Sequence, residues 1–126
     1  MDRTPLPGPI VAQARSSLPI LLSISHSGRH YPGWLLAQAR GGLRTLEPLE
    51  DPLVDRLVWR AQTTGAVALI ASVPRAEIDL NRDEREIDPA MVTPPPAARA
   101  IMQSPLTRGG LGLVPSRING AGSIWR

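Results

Sequence analysis

The residues able to do chemistry in this chain fall in a few short segments, and both histidines lie in the first. Ser23-Ile24-Ser25-His26-Ser27-Gly28-Arg29-His30-Tyr31-Pro32 begins at the end of the aliphatic run 19–24, so that both histidines lie just past it. Imidazole is the commonest protein ligand for zinc, and a histidine at the end of a strand offers a nitrogen in a fixed direction. His26 is therefore a candidate metal ligand, with a turn histidine bonded to the backbone as the alternative. His30 lies four residues on, but Gly28 and Pro32 oppose the helix that would turn the pair into a metal clip. The second segment, Leu49-Glu50-Asp51-Pro52-Leu53-Val54-Asp55, supplies carboxylates. Asp51 is the preferred metal ligand and Glu50 the next. Asp51 is equally a good helix N-cap, and the two roles are compatible. Asp55, one helical turn on, is placed to orient a ligand or to face solvent. In the third segment Asn81 and Arg82 suggest a substrate clamp, because a guanidinium fork binds a carboxylate bidentately and the neighbouring amide adds direction. Arg29 and Arg75 are second choices for a further substrate carboxylate. Surface ion pairs with Asp79, Asp83 or Glu84 are the plainer account of each arginine.

These segments need elements to hold them. Residues 19–24 are short, aliphatic and bounded by Pro and Gly, which predicts a buried strand opening into a polar turn. Ligands in open α/β sheets bind at such carboxyl ends. Residues 34–40 suit a short helix ending at Gly41-Gly42. A helix is predicted from Asp51 as N-cap and Pro52 as first residue, with Leu53, Val54, Leu57, Val58 and Ala61 on one face before Gly65. Residues 66–72 read as a second buried strand, so strand, helix and strand imply a right-handed crossover and parallel pairing. Residues 76–81 alternate enough for a third strand, and 82–86 form a charged turn. Further on, Pro94-Pro95-Pro96 and several glycines favour extended and loop structure, with a short helix over 97–103. This last third has few core-forming residues, as though it draped over a site or packed on something outside the chain. Residues 1–17 read as a loose lead-in, rich in proline, and 18–126 as part of a single α/β domain.

Composition narrows the function classes. The chain has 126 residues, enough for one domain, and 42% are hydrophobic, as expected of a globular protein. It has no Phe and one Tyr, so its core must be aliphatic. Without cysteine, disulfides and thiolate metal sites are excluded, leaving His and carboxylate ligands. All 14 basic residues are Arg, yet the net charge is only +3. They are scattered among acids rather than gathered in a stripe with aromatics, which argues against nucleic-acid binding. Neither a signal peptide nor a membrane span is visible. A cytoplasmic protein without membrane association is the default expectation.

Taken in order, the His-Ser-Gly-Arg turn at 26–29, the Glu50-Asp51 helix start, Pro74-Arg75, Asp79-Leu80-Asn81-Arg82 and Asp88-Pro89-Ala90-Met91 resemble the N-terminal half of the N-formylglutamate amidohydrolase family. The glycine-rich Gly110-Leu111-Gly112-Leu113-Val114-Pro115 and the ending Ile124-Trp125-Arg126 extend the match over about 21–126. The resemblance implies a three-layer α/β fold with a mixed, mainly parallel sheet, like that of the zinc carboxypeptidases, incomplete in this chain. It implies hydrolysis of N-formyl-L-glutamate to formate and L-glutamate in histidine degradation. It further implies zinc on His26 with Asp51 or Glu50, and substrate on Arg82 with Asn81. Members run to about twice this length, and a later Asp-x-His-Ser motif looks like their remaining metal ligand. On that reading this chain is an N-terminal fragment that needs the missing half to complete its site, with the general base outside it. The alternatives are a deacylase of another N-acyl amino acid and an inactive remnant that binds anions or a partner.

Overall fold

The computed structural model describes residues 7–13, 18–118 and 122–126. Much of the segment that reads as a lead-in therefore lies outside the described residues.

The two aliphatic runs form strands where the sequence predicts them. Leu21–Ile24 (β2) and Val67–Ile70 (β3) pair in parallel, with Leu21 opposite Val67 and Ile24 opposite Ile70. The connection between them carries Gly33–Gln38 (α1), Leu43–Leu46 (α2), a 3-10 turn at Glu47–Leu49, Val54–Leu57 (α3) and Trp59–Thr63 (α4). The third strand is not the predicted one. Ile10–Ala12 (β1) pairs antiparallel with β3, which gives the order β1-β3-β2.

The expected three-layer, mainly parallel, carboxypeptidase-like sheet is thus replaced by a small mixed sheet with one parallel and one antiparallel pairing. Residues 76–81 fail to extend because local bonds curl them. The Glu77 amide donates to the Pro74 carbonyl, Arg75 pairs with Asp79, and the Asn81 amide donates to the Asp79 side chain. An Asp that accepts the amide two residues on makes an Asx turn, which competes with a strand. The lead-in in turn holds a β-branched pair, Ile10-Val11, behind Pro9, and proline is tolerated on an edge strand.

The predicted 51–64 helix also starts late. Leu53 stands in the left-handed region at φ 68° and α3 has no side-chain cap. Leu53 and Leu57 of its supposed apolar face are exposed. Over 97–103 only a 3-10 turn forms, at Ala98–Ala100, because the Met102 amide is taken by the Arg85 carbonyl. A helix follows instead at Pro105–Arg108 (α5), capped by the Ser104 hydroxyl.

The main apolar cluster lies off the sheet. Leu35, Ala39, Leu46, Leu49, Ala76 and Ile124 are buried together, flanked by Tyr31, Leu36, Leu111, Ile118 and Trp125. The last third, which carries Arg117–Ile118 (β4) paired with Gly122–Ser123 (β5), thus packs on this chain's own helices. The Arg40 amide bonds the Ile124 carbonyl, and the Trp125 indole bonds the Pro115 carbonyl. The sheet itself is covered unequally. Strand register puts Val11, Leu21, Ser23, Val67 and Leu69 on one face, where Leu21 is 65% exposed. Ala68 and Ile24, on the opposite face, are buried.

Candidate functional site

Past the carboxyl end of β2 the chain turns sharply, and Gly28 permits it. A Cβ on Gly28 would overlap the Val73 carbonyl oxygen, so only glycine lets this turn lie against the segment after β3. The His30 amide fixes the same approach by bonding the Ser72 carbonyl.

The turn presents His26 between two carboxylates. Its Nε2 is 2.7 Å from Asp79 Oδ1 and its Nδ1 is 3.1 Å from Asp51 Oδ2. Carboxylates only accept, so an imidazolium satisfies both contacts while a neutral ring donates to one at a time. Asp51 is pinned by its backbone as well. Its amide donates to the His26 carbonyl, and its carbonyl accepts from the Ser27 hydroxyl. A cleft of about 210 Å³, lined by Ser23, Ser25, His26, Asp51, Val54 and Asn81, opens at this point.

Asp79, which the sequence presents only as an ion-pair partner, anchors the site. It is fully buried and takes His26 on one oxygen and Arg75 Nε on the other, at 2.8 Å, with Arg82 Nε 3.6 Å away. Burial pushes its carboxyl up, but the hydrogen bonds from His26 and the Asn81 amide, with the Arg75 charge, outweigh it and hold the group below the usual carboxylate range. The signal that could have found it is its position in Asp79-Leu80-Asn81-Arg82, between two arginines.

The expected residues divide into two groups. His26, Asp51 and Asn81 meet at the cleft. Arg75 and Arg82 turn inward: Arg82, its side chain 13% exposed, donates to the Leu111 and Asn81 carbonyls and backs Asp79. Arg29 remains open, its side chain 44% exposed, near Glu50 and Asp55. Glu50 faces away from His26 and accepts the Tyr31 hydroxyl. Burial raises its carboxyl above the ordinary value, against the Tyr31 bond and the Arg29 charge. Of the two adjacent carboxylates, Asp51 alone points at the imidazole.

Does this donor set suit a metal? Among the described residues no three His, Cys, Asp or Glu side chains come together as a ready centre. The 3.1 Å between His26 Nδ1 and Asp51 Oδ2 is close to the roughly 3.3 Å edge of a tetrahedral zinc site. Asp79 on the far nitrogen occupies the place of the carboxylate that orients a metal-bound histidine. The pair fits as two ligands, one fewer than the three protein ligands of a catalytic zinc.

A small mixed α/β sheet with a carboxylate-flanked histidine at a strand end is an arrangement suited to a hydrolase. The comparisons narrow that class. The family model for N-formylglutamate amidohydrolase matches residues 18–126. The crystal structure of N-formylglutamate amidohydrolase from Ralstonia eutropha JMP134 is 31% identical, with a TM-score of 0.82 over 94% of this chain and 41% of that one. The search of curated proteins returns no match. The chain belongs to the N-formylglutamate amidohydrolase family. The sequence motifs suggest a likeness to the family's N-terminal half only. The family match corrects this to membership over nearly the whole chain, in the fold of that family rather than of the carboxypeptidases. The chain nonetheless spans 41% of the length of its solved relative.

Proposed function

We propose that this chain takes part in the metal-dependent hydrolysis of N-formyl-L-glutamate to formate and L-glutamate. The observation that carries the reading is His26, gripped at both ring nitrogens at the mouth of a cleft beside Asn81, in a chain of this family. His26 and Asp51 would hold a divalent metal, zinc by the chemistry of an N/O donor set. Bound there, such an ion supplies polarisation of the formyl carbonyl and acidification of a water. With a metal bound, Asp79 would hold the Nε2 proton so that the Nδ1 lone pair faces the ion, and the Asn81 amide and the Arg75 charge help keep Asp79 ionised. Asn81 at the cleft offers hydrogen bonds to a substrate carboxylate, and Arg29, exposed beside Glu50 and Asp55, stands open as a cation for a second one. The reaction adds water across the amide, breaking the C–N bond to leave formate and the amine of glutamate.

A second reading, a longer acyl group, is favoured by one observation. An apolar cavity of about 340 Å³, lined in part by Pro9, Leu69, Ala71, Val73 and Leu80, shares Ser23, Ile24 and Ser25 with the cleft. Pocket shape rather than the metal selects the acyl group.

Zinc titration followed by calorimetry, and formate release from N-formyl-L-glutamate, test the proposal together. His26→Ala is expected to lower zinc affinity at least about 100-fold and to abolish release. Wild-type chain that binds no zinc and liberates no formate would overturn it. Faster turnover of N-butanoyl-glutamate than of the formyl compound would favour the second reading.

A further inference from the structure

Among the described residues Leu53 alone, apart from glycines, has a positive φ. At φ 68° and ψ 2° it occupies left-handed backbone that a residue with a Cβ enters only at a cost. It stands two residues after Asp51 and directly before α3, whose first turn has no side-chain cap. The local sequence Asp51-Pro52-Leu53-Val54 has a relaxed alternative: Asp51 as N-cap, Pro52 as first helical residue and Leu53 right-handed. The chain forgoes that alternative while Asp51 is tied to the histidine turn through its amide, its carbonyl and its carboxylate. One carboxylate serves either His26 or the helix start.

We propose that Leu53 is a positioning residue that sets where the Asp51 carboxylate goes. Left-handed backbone at Leu53 delivers the carboxylate to His26 Nδ1, and right-handed backbone returns it to the helix N-terminus. The 51–54 turn is thus a two-position element at the wall of the cleft, and the His26 contact is its strained position. Any consequence for metal binding rests on the proposed function above. The two positions themselves rest only on the backbone and the contacts. They give Asp51 a way to leave His26 without unfolding anything beyond one turn.

The test is NMR on the full, metal-free, isotope-labelled chain. It reads two sets of signals: the carbon shifts of residues 52–54, which report the hand of the backbone, and the imidazole nitrogens of His26. Asp51→Ala supplies the spectrum of a His26 without its Nδ1 partner. Leu53→Gly and Leu53→Asn, which tolerate left-handed backbone, should raise the ratio of the His26-bound to the capped position about tenfold and quench exchange broadening over 51–54. Leu53→Ile, β-branched and ill suited to φ above zero, should move the His26 Nδ1 signal toward that of Asp51→Ala and extend helical shifts back to Pro52. A purely structural role would change the denaturation midpoint and leave the imidazole signals in place. His26 nitrogens that coincide in the wild type, Gly and Asn proteins, with no exchange over 51–54 in any of them, overturn the proposal, and this holds even if the Ile variant fails to fold. Zinc that leaves every His26 signal unmoved would count against the metal reading and not against the turn.

Discussion

Asp79 shows how one residue can hold a site without facing the cleft. It is buried among His26, Arg75 and Arg82, and removing its charge strands two guanidinium groups in a poorly solvated place. Asp79→Asn should therefore cost about 3–5 kcal/mol, read as a lower urea midpoint at pH 7. The pH dependence has a definite sign. Because the carboxyl is held below its unfolded value, its contribution is complete above the ordinary carboxylate range. It is lost as pH falls out of the ordinary carboxylate range and through the lower folded value. The acid limb of a plot of urea midpoint against pH should be steeper for the wild type than for Asp79→Asn. Gly28 carries a steric demand of a different kind. The Val73 carbonyl oxygen fills the space that a side-chain methyl would need, so Gly28→Ala must force backbone apart. A loss of about 3 kcal/mol, with His26 signals displaced, is the expected result. Neither demand is fully legible in the sequence. Gly28 is visible there as a turn glycine, but its approach to Val73 depends on two strands meeting in parallel. Asp79 is visible as a charge, but its burial depends on the last third of the chain closing over it, where its amide bonds the Leu113 carbonyl.

Among the elements, the strongest local signals are legible and the weaker ones are decided by tertiary bonds. The aliphatic runs behind β2 and β3 need no context. The third strand does, since alternation over 76–81 gives way to an Asx turn while Ile10–Ala12 claims the free edge of β3. The helix start at Ser104-Pro105 goes unread, although it pairs the preferred N-cap with the preferred first residue. The alanine-rich stretch before it, with better helix formers but no cap, misleads. The same sheet makes a testable statement about exchange. Ile20 and Ile24 carbonyls accept from β3 and the residue after it, and in a parallel pair alternate residues bond inward. The amides of Leu22 and Ile24 should then exchange slowly and those of Leu21 and Ser23 quickly, measured residue by residue in deuterated water. Ile124, which clamps the C-terminal segment into the core with no exposed surface, sets the stability of the other half of the fold. Ile124→Ala should cost about 2–5 kcal/mol by thermal or urea unfolding.

On the scale of the molecule, family membership rests on a model match over 18–126 and a shared fold with a relative of greater length. At the cleft, the proposed donors His26 and Asp51 stand together, with Asp79 behind the imidazole and Asn81 open beside them. No helix among the described residues is long and apolar enough to cross a membrane. The unequal covering of the sheet bears on how the chain behaves in a tube. Val11, Leu21 and Leu69 stand exposed in adjacent strands, and such a surface takes up fluorescent apolar dyes and adsorbs to phenyl resins as salt rises. The native chain should brighten 8-anilinonaphthalene-1-sulfonate and elute late in a falling ammonium sulfate gradient. Leu69→Lys, which seats a charge in the middle strand, should dim the dye and bring the elution forward.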